Sequence, residues 1–452
     1  MITFSIIQKS QLEGALRLDA EYYQPEYLNL IKNLENIKNE FLGNLAKNII
    51  CGPFGSAILR SNYTEKGIPL IRVADLNDWF VRDDRLVFID KNLGHKMKRY
   101  QVSEGDLVVS QRGTIAMFSM VTDEFPLWNI SANLISIKKS KDINFYYLLT
   151  FLNSKYGINQ LYRKLSGQIQ PKITTDDIKE ILVFVPNKRQ QEEIVKLVKR
   201  AFKEKERSES FYYQAEVLLL EELGFKDFQL KDDLAYVVNF SDAESADRID
   251  AEYFQPRYEE IKSKIKDFEF QKLGDIVLIK KGVEPGSEVY CEEGIPFIRV
   301  SNIFKFGVKD NNQQYLSREN YDKFKENFEP KAGEILLTKD ATPGIAYYLD
   351  SKIEGIISGG ILRLKPKIKI EPEYLVLVIN SIIGQMQAKR DTGGSIIVHW
   401  RPEQVKNILI PILPRTIQKK IADLVRQSHV SHQRAKQLLE EAKQKVEDLI
   451  KK

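Results

Sequence analysis

The chain has 452 residues, of which 43% are hydrophobic and 29% charged, a composition typical of a soluble globular protein with room for two to four domains. Its apolar runs are too short to cross a bilayer, and its start lacks the basic and apolar segments of an export signal, so a membrane or exported protein is not expected. Two cysteines in unrelated contexts favour a reducing cytoplasm over a disulfide scaffold, and a net charge of +5 permits a nucleic-acid partner without requiring one.

The first recognisable element is a short motif that occurs twice. "RLDAEYYQPEY" (Arg17–Tyr27) returns as "RIDAEYFQPRY" (Arg248–Tyr258), 231 residues later. Its acids, Asp19 and Glu21 in the first copy, could be mistaken for paired catalytic carboxylates. We interpret the motif instead as a packing element, in which the acids pair with Arg17 and three residues dock the start of each domain against the long helices: Tyr22, Tyr23 and Pro25.

Five further segments repeat in the same order and at nearly constant offset. They are "GIPLIRVADL" and "GIPFIRVSNI", "GDLVVSQRGTIA" and "GEILLTKDATPGIA", "SANLISI" and "SGGILRL", "IKEILVFVP" and "VKNILIPILP", and "QQEEIVKLV" and "IQKKIADLV". This order indicates a duplicated domain, because solenoid repeats have periods of only about 20–50 residues. The short apolar runs, separated by Gly, Pro, Asn and Asp, predict strands. Residues 143–161 and 371–388 each predict one amphipathic helix.

Each half closes in a long tract without Gly or Pro. The first, 188–223, is followed by Gly224 as a predicted helix stop, and its apolar pattern is interrupted by Lys205 and Ser208. In the second, 416–452, one set recurs every seventh residue and another fills the offset positions: Ile421, Ser428, Ala435, Ala442 and Leu449, and Val425, His432, Leu439 and Val446. This is a heptad seam. The tracts are either solvated surface helices or, as we favour, partners of each other.

Chain order favours antiparallel pairing of these helices. The sequence therefore predicts an α+β protein with two similar globular domains joined by two long antiparallel helices, a dumbbell with approximate two-fold symmetry. At about 1.5 Å per residue, each helix would measure about 54 Å. Two similar units at a fixed separation suit a target that repeats at a fixed separation, such as DNA.

These motifs carry a family resemblance over essentially the whole chain. The doubled "DAEY" openings, the "GIPLIRV" and "GIPFIRV" strands, and the segments "SGQIQPKITTDDIKEILVFVP" and "TGGSIIVHWRPEQVKNILIPILP" resemble the specificity subunit of type I restriction–modification enzymes. The resemblance implies target recognition domains at 1–187 and 248–414, spacer helices at 188–224 and 415–452, and a linker at 225–247.

The resemblance also implies function and partners. Each domain would bind one part of a split, asymmetric site in double-stranded DNA, and the helices would set the spacer and hold two modification (methyltransferase) subunits. Restriction (motor-nuclease) subunits would complete the complex. No cofactor is expected on this chain, because S-adenosylmethionine, ATP and Mg would bind the partner subunits.

Missing motifs support a non-catalytic role. The sequence contains neither the Asn/Asp-Pro-Pro-Tyr tetrapeptide of amino-methyltransferases nor a phosphate-binding loop ending in Gly-Lys-Ser/Thr. Two other functions remain open. One is a protein-interaction scaffold that does not bind DNA, and the other is the recognition subunit of a bifunctional restriction–methyltransferase.

Candidate DNA contacts are Arg, Lys, Asn, Gln and His side chains in the loops, since these read base edges or hold phosphates. In the first half they are Arg60, Asn62, Arg72, Gln111, Arg112, Gln168, Gln170 and Lys172. In the second half they are Lys280, Lys281, Arg299, Lys339, His399 and Arg401.

Some of these candidates have structural alternatives. Arg72 and Arg299 occupy equivalent positions, so each either contacts DNA or holds the fold through a buried carboxylate. Gln111 and Arg112 become Thr338 and Lys339 in our alignment of the repeats, a change expected of base-reading positions. His429 and His432 have a spacing that could bind a metal, but without a third ligand we assign no metal site and place His432 in the helix seam.

Overall fold

The computed structural model describes residues 4–10, 12, 17–77, 79–81, 86–113, 115–122, 125–165, 171–226, 228, 235–310, 312–392 and 398–451. Two compact units divide the chain, one formed by 1–203 with 434–452 and the other by 204–433. Each unit contains one copy of the repeat and a section of both long helices. Among the described helices, none combines the length and apolarity needed to cross a membrane.

Unit 1 is a mixed α/β structure. Its helices outside the long pair are Pro25–Glu35, Leu42–Leu45, Lys91–Lys96, Phe145–Leu152, Lys155–Leu165 and Thr175–Lys179. Its strands are Asn39–Phe41, Asn48–Cys51, Tyr63–Thr64, Ile68–Ile71, Trp79–Phe80, Val87–Ile89, Gln101–Val102, Leu107–Ser110, Phe118–Met120, Trp128–Ile130, Leu134–Lys138 and Leu182–Phe184.

Unit 2 repeats this plan with local differences. Its helices outside the long pair are Phe240–Ala246, Pro256–Lys266, Leu273–Ile276, Arg318–Phe328, Pro372–Asn380, Ile382–Thr392 and Pro402–Lys406. Its strands are Phe270–Lys272, Val277–Lys281, Tyr290–Cys291, Ile295–Ile298, Ile303–Phe304, Gly307–Val308, Gln314–Leu316, Ile335–Thr338, Ala346–Tyr348, Ile356–Ile357, Ile361–Pro366 and Leu409–Pro411.

The central sheet has the same order in both units. In unit 1 the strand Leu134–Lys138 lies between Asn48–Cys51 and Leu107–Ser110, and in unit 2 Ile361–Pro366 lies between Val277–Lys281 and Ile335–Thr338. All of these pairs are antiparallel. The strands Leu107–Ser110 and Ile335–Thr338 are buried along their whole length, which explains their continuous apolar sequences. The duplication seen in sequence is therefore a duplication of sheet topology.

Each half contains two helices where the sequence pattern predicted one. The predicted helix 143–161 is divided into Phe145–Leu152 and Lys155–Leu165, and the predicted helix 371–388 into Pro372–Asn380 and Ile382–Thr392. A Cβ atom on Gly157 would collide with the backbone of Leu152, so glycine permits the close approach at this bend. Apolar periodicity continued across the break because both helices pack on the same core.

A two-stranded ladder closes each repeat. Asn39–Phe41 pairs with Leu182–Phe184, and Phe270–Lys272 pairs with Leu409–Pro411. A buried glutamine extends the ladder on its other side: Gln160 accepts from Leu182 N at 2.8 Å and donates to Leu182 O at 3.0 Å. Gln387 makes the same two bonds to Leu409. The glutamine amide thus satisfies backbone groups of the last strand that another strand would otherwise bind.

Glutamines also fix where the long helices begin. The helices extend over Lys188–Glu222 and Arg415–Lys451, and Gly224 adopts a left-handed φ of 65° beyond the end of the first. Gln191 Nε2 donates to Pro186 O at 3.0 Å, and its Oε1 accepts from Asn144 N. Gln418 makes the equivalent bonds to Leu413 O and Glu371 N.

The long helices pair through the predicted seam. Unit 1 combines the start of the first helix with the end of the second, and its core contains Ile194, Val198, Ala201, Leu439, Ala442 and Val446. Unit 2 combines the other two sections, with Tyr212, Ala215, Leu219, Ile421 and Val425 in its core. An early section of one helix thus meets a late section of the other, which confirms antiparallel pairing over solvated surface helices.

Two details of the seam differ from the prediction. Ser208, which we took as an interruption, is 1% exposed, and its hydroxyl lies 3.2 Å from that of Ser428, which also donates to Ser208 O at 2.7 Å. A small polar pair therefore replaces an apolar layer. The His432 ring stacks on Phe306 at a centroid distance of 4.8 Å, and Phe306 also lies 5.3 Å from the Tyr212 ring of the first long helix, so an aromatic side chain from outside the helices joins the seam here.

His429 lies beside the same aromatic residue. Its ring centroid is 5.9 Å from that of Phe306 and 5.8 Å from that of Tyr347. Burial lowers the pKa of His429, against the smaller opposing effects of Asp350 and of a hydrogen bond to the Lys305 backbone.

We predict that replacing Gln387 with leucine will lower the free energy of unfolding by about 1–3 kcal/mol, because the substitution leaves buried Leu409 backbone groups without these partners. Urea denaturation of the full chain measures this loss. The matched control is Gln437→Leu, which makes the same change at an exposed helix position. Equal stability of Gln387→Leu and the wild type would contradict the assigned role.

A second prediction concerns the loop after Asn48–Cys51. A Cβ atom on Gly52 would collide with the Ser131 carbonyl oxygen, whereas one on Gly55, three residues later, would meet nothing within 4 Å. We expect Gly52→Ala to lower the thermal unfolding midpoint by several degrees and Gly55→Ala to leave it nearly unchanged. Differential scanning calorimetry compares the two variants, and similar midpoints would refute the proposed constraint.

The lowered pKa of His429 predicts a stability change with pH. In the unfolded chain the pKa of a histidine is about 6.5, whereas that of His429 in the folded chain is lower. Below this pH the unfolded chain therefore binds more protons than the folded chain. Stability is therefore fully present above this pH and falls as the pH decreases towards the lower folded pKa. Chemical denaturation at pH 5.5 to 7.5 should show a weaker pH dependence for His429→Asn than for the control His95→Asn, which changes an exposed ring. Identical pH profiles would contradict the prediction.

Candidate nucleic-acid interface

In each repeat, residues that follow the buried strand Leu107–Ser110 or Ile335–Thr338 lie beside a residue that precedes the last short helix. We call Gln111, Arg112 and Lys172 the first loop cluster. Lys339, Asp340 and His399 form the second loop cluster. Ile173 N donates to Gln111 O at 3.0 Å, and Trp400 N donates to Lys339 O at 2.8 Å, so the same backbone bond joins the two segments in each unit.

Buried anchors hold these segments in place. Ile173 is 0% exposed and Trp400 is 1% exposed, and each directly follows the third residue of its cluster. In unit 2, Ala341 N also donates to Val398 O at 3.1 Å, which completes a short antiparallel bridge between Asp340 and His399. Backbone hydrogen bonds and a buried neighbouring side chain therefore fix the position of each loop cluster.

In the first loop cluster, the three side chains have different environments. Gln111 is 7% exposed, and its amide donates to Cys51 Sγ at 3.5 Å, whereas Arg112 and Lys172 are exposed. The prediction that Gln111 contacts DNA disagrees with this burial, because a buried amide does not reach a base edge. The sequence could not show that Gln111 is buried. A residue that differs between the repeats is expected at a base-reading position, but also where a side chain packs differently in each repeat.

In the second loop cluster, a carboxylate joins two basic groups. Lys339 is 8% exposed, and its Nζ lies 2.7 Å from Asp340 Oδ2. His399 Nδ1 lies 2.8 Å from Asp340 Oδ1. Burial of the Lys339 side chain and compensation of its charge argue against the predicted DNA contact by this lysine. The equivalent backbone hydrogen bonds also show which residues correspond: Gln111 corresponds to Lys339 and Arg112 to Asp340. Our sequence alignment was therefore wrong by one position here.

The two clusters differ in electrostatic character. The first presents the exposed cations Arg112 and Lys172, while at the same positions the second has Asp340 and His399. The sequence interpretation did not include Asp340. Our sequence alignment paired Arg112 with Lys339, so the change of charge from Arg112 to Asp340 became visible only when the backbone bonds aligned the two repeats.

Arg72 has the structural role left open above. Its Nε and Nη2 lie 2.9 and 2.8 Å from the carboxylate of Asp75, which is 3% exposed. These hydrogen bonds raise the pKa of Arg72 and fix the turn after the strand Ile68–Ile71. A guanidinium held in this way stabilises the loop, so the fold interpretation is favoured over a direct DNA contact.

Arg299 is held differently. Asn302 replaces the buried aspartate of the first repeat, and its Oδ1 accepts from the Arg299 backbone N at 2.9 Å. The guanidinium Nη2 donates to Asn312 O at 2.5 Å, and within the described part of the chain no ion pair joins Arg299 to a carboxylate. The two repeat-equivalent arginines therefore do not share one role.

The other predicted residues lie on loops and an edge strand. Arg60 is exposed, and Asn62 Oδ1 accepts from Leu59 N at 2.8 Å, which supports the local turn. Lys280 and Lys281 are exposed at the end of the edge strand Val277–Lys281. Arg401 is exposed before the helix Pro402–Lys406. Gln168 and Gln170 lie outside the described residues.

The opening motif secures the helix that leads towards each loop cluster. Arg17 bonds Asp19 and donates to Lys164 O at 2.7 Å, near the end of the helix Lys155–Leu165. Tyr22 packs against Arg163, whose guanidinium carbon lies 4.1 Å from the ring centroid. The hydrogen bonds from Arg17 lower the pKa of Asp19.

The second copy of the motif makes the same contacts. Arg248 bonds Asp250 and donates to Asp391 O at 3.2 Å, and Arg390 lies over the Tyr253 ring at 4.2 Å. The pairing of Arg17 with the first acid is confirmed. These contacts are made with a short helix later in the same repeat, Lys155–Leu165 or Ile382–Thr392, and not with the long helices that the sequence predicted as the docking partner. Glu252 also departs from the prediction, since it binds Arg257 and Tyr258.

Within the described part of the chain, no group of three or more His, Cys, Asp or Glu side chains could hold a metal ion.

Comparisons with known proteins identify the repeated domain. The family model described as "Type I restriction modification DNA specificity domain" matches residues 54–210 and 265–444. The EcoBI type I restriction enzyme specificity subunit of Escherichia coli is 29% identical over 137 residues, which are 30% of this chain and 29% of that protein. The matched region thus spans less than a third of that curated relative.

Solved structures also resemble the chain. The S subunit of a type I restriction–modification system from M. genitalium has 14% identity and a TM-score of 0.39, over 92% of this chain and 95% of that chain. The HsdS subunit from Thermoanaerobacter tengcongensis has 15% identity and a TM-score of 0.30, over 92% and 95%. Since the family model covers well over half of the sequence in two segments, the chain belongs to the type I restriction–modification DNA specificity family.

Proposed function

We propose that this protein is the DNA sequence-recognition subunit of a type I restriction–modification complex. Each repeat reads one part of a split, asymmetric site, and the paired helices set the spacer and dock two methyltransferase subunits. The observation that carries the proposal is one scaffold built twice with different loops. A shared scaffold presents both readers in the same way, while Arg112 and Lys172 against Asp340 and His399 give them different chemistry.

The exposed cations of the first loop cluster suit a DNA backbone. Arg and Lys neutralise phosphates, and Arg also reads guanine through two hydrogen bonds. The second loop cluster, with its compensated lysine, is better suited to hydrogen bonding with base edges than to phosphate binding. This difference between the clusters supports two distinct half-sites.

The proposal assigns catalysis to other chains. S-adenosylmethionine would bind the methyltransferase subunits, and ATP and Mg the motor-nuclease subunits, with this chain supplying specificity alone. Such a complex would act on DNA in the cytoplasm.

Single-molecule methylation mapping of the host genome, with and without this gene, tests the proposal. Loss of one split adenine-methylation motif on deletion is the expected result. Restoration of the motif by the intact gene provides the control. An unchanged map in cells shown to express the complex would rule out the proposed function.

We predict that the double variant Arg112→Ala and Lys172→Ala will bind its duplex target at least about tenfold more weakly and with a smaller salt dependence. Removing one phosphate contact reduces the slope of log K against log salt by about 1. Fluorescence anisotropy between 50 and 200 mM salt measures both quantities. The control, Lys32→Ala, removes an exposed charge from the helix Pro25–Glu35, where no DNA contact is predicted. An unchanged salt slope in the double variant would count against phosphate contacts at this cluster.

A further inference from the structure

The second loop cluster is built like an oriented hydrogen-bonding group. His399 is exposed, with 62% of its side chain accessible, yet its Nδ1 is fixed 2.8 Å from Asp340 Oδ1. Asp340 is itself held, because its other oxygen lies 2.7 Å from the buried Lys339 ammonium. The Lys339–Asp340 ion pair thus fixes the orientation of the exposed His399 ring.

The backbone around this cluster supports the same conclusion. Two hydrogen bonds, Trp400 N to Lys339 O and Ala341 N to Val398 O, flank the Asp340–His399 pair. Ala341 adopts a φ of 58°, in the left-handed region that residues other than glycine seldom enter. Unusual backbone of this kind is retained where the surrounding structure imposes it, often at sites of function. Here it places Asp340 directly beneath the imidazole ring.

We propose that His399, oriented by Asp340, accepts a hydrogen bond from the exocyclic amino group of adenine or cytosine in the half-site read by the second repeat. This inference rests on the proposed function. A carboxylate can only accept, so in the neutral form of the ring the Asp340 contact places the hydrogen on Nδ1 and leaves Nε2 as an acceptor. In the major groove, adenine N6 and cytosine N4 are the donors that such an acceptor recognises.

The equivalent positions of the first repeat carry hydrogen-bond donors in place of this acceptor. Lys172 occupies the position of His399, and Arg112 that of Asp340, so the first loop cluster offers only exposed donors at these two positions. Donors recognise guanine O6 and N7 or phosphates. The change from donors to an acceptor thus occurs at positions that the same backbone hydrogen bond, Ile173 N to Gln111 O or Trp400 N to Lys339 O, fixes in each repeat. Asp340 acts here as a positioning residue, because both of its oxygens are already engaged.

The experiment begins with selection of a DNA motif. The full chain is incubated with a library of randomised 30-base-pair duplexes, and the enriched sequences are determined for the wild type, His399→Ala, Asp340→Asn and the first-repeat control Lys172→Ala. We expect His399→Ala to relax the preference at one base pair in one half of the motif and leave the other half unchanged. Asp340→Asn should relax the same base pair, and Lys172→Ala should alter only the other half.

A base analogue then identifies the atom that is read. The wild type and His399→Ala are compared on duplexes in which the selected adenine is replaced by purine, or the selected cytosine by 2-pyrimidinone, each of which lacks the exocyclic amino group. We expect the analogue to weaken wild-type binding about 3- to 10-fold, as for one hydrogen bond, and to leave binding by His399→Ala unchanged. The base that responds also distinguishes adenine from cytosine.

The outcomes separate this inference from the function on which it rests. If the wild type enriches no motif, the proposed function fails and the inference with it. A split wild-type motif that is unchanged in His399→Ala would overturn the inference alone, as would equal effects of the analogue on both proteins. Because His399 is exposed, its alanine variant should keep the wild-type unfolding midpoint, which calorimetry verifies before selection.

Discussion

The pairing of each repeat's first strand with its last strand is the constraint on which the remaining structure depends. It brings residues 39 and 184 together in one unit and residues 270 and 411 in the other, so that everything between them forms a closed lobe. Gln160 and Gln387 satisfy the outer side of the last strand, and Gln191 and Gln418 fix the helix that follows. The position of each loop cluster relative to the long helix of its own unit follows from these few bonds.

Identity between the repeats marks this scaffold, and difference marks its exposed loops. Tyr147 and Tyr374 are both buried, and each hydroxyl donates at 2.8 Å to a carbonyl of the closing ladder. Asn153 and Asn380 likewise bind carbonyls of equivalent strands. A buried polar side chain has few geometries in which its partners are satisfied, so it tolerates little change. Positions 172 and 399 reach solvent, where water can also satisfy polar groups, and there the two repeats differ.

The sequence predicted the duplication, the strands and the helix seam because these depend on periodicity and on order along the chain. It did not predict the buried glutamines, although their identity at the same place in both repeats was a readable signal. Ser208 was misjudged because a polar residue in a heptad looks like an interruption until its partner, Ser428, is known. At the site, the exposure of each side chain separates the DNA-binding candidates that can reach a ligand from those that are buried. Burial of Gln111 and Lys339 depends on neighbours distant in sequence, which no local pattern encodes.

The division of the seam between the two units has a consequence for biosynthesis. The core of unit 1 includes Leu439, Ala442 and Val446, which are translated only after the whole second repeat. Until then Ile194, Val198 and Ala201 have no helix partner from this chain, and an apolar stripe stays accessible to water. Contacts between residues so distant in sequence form slowly, since a long loop must close first. The nascent protein therefore passes through a stage in which its first lobe is closed by its ladder but incomplete, and this is the stage at which a chaperone or an assembling partner would find it.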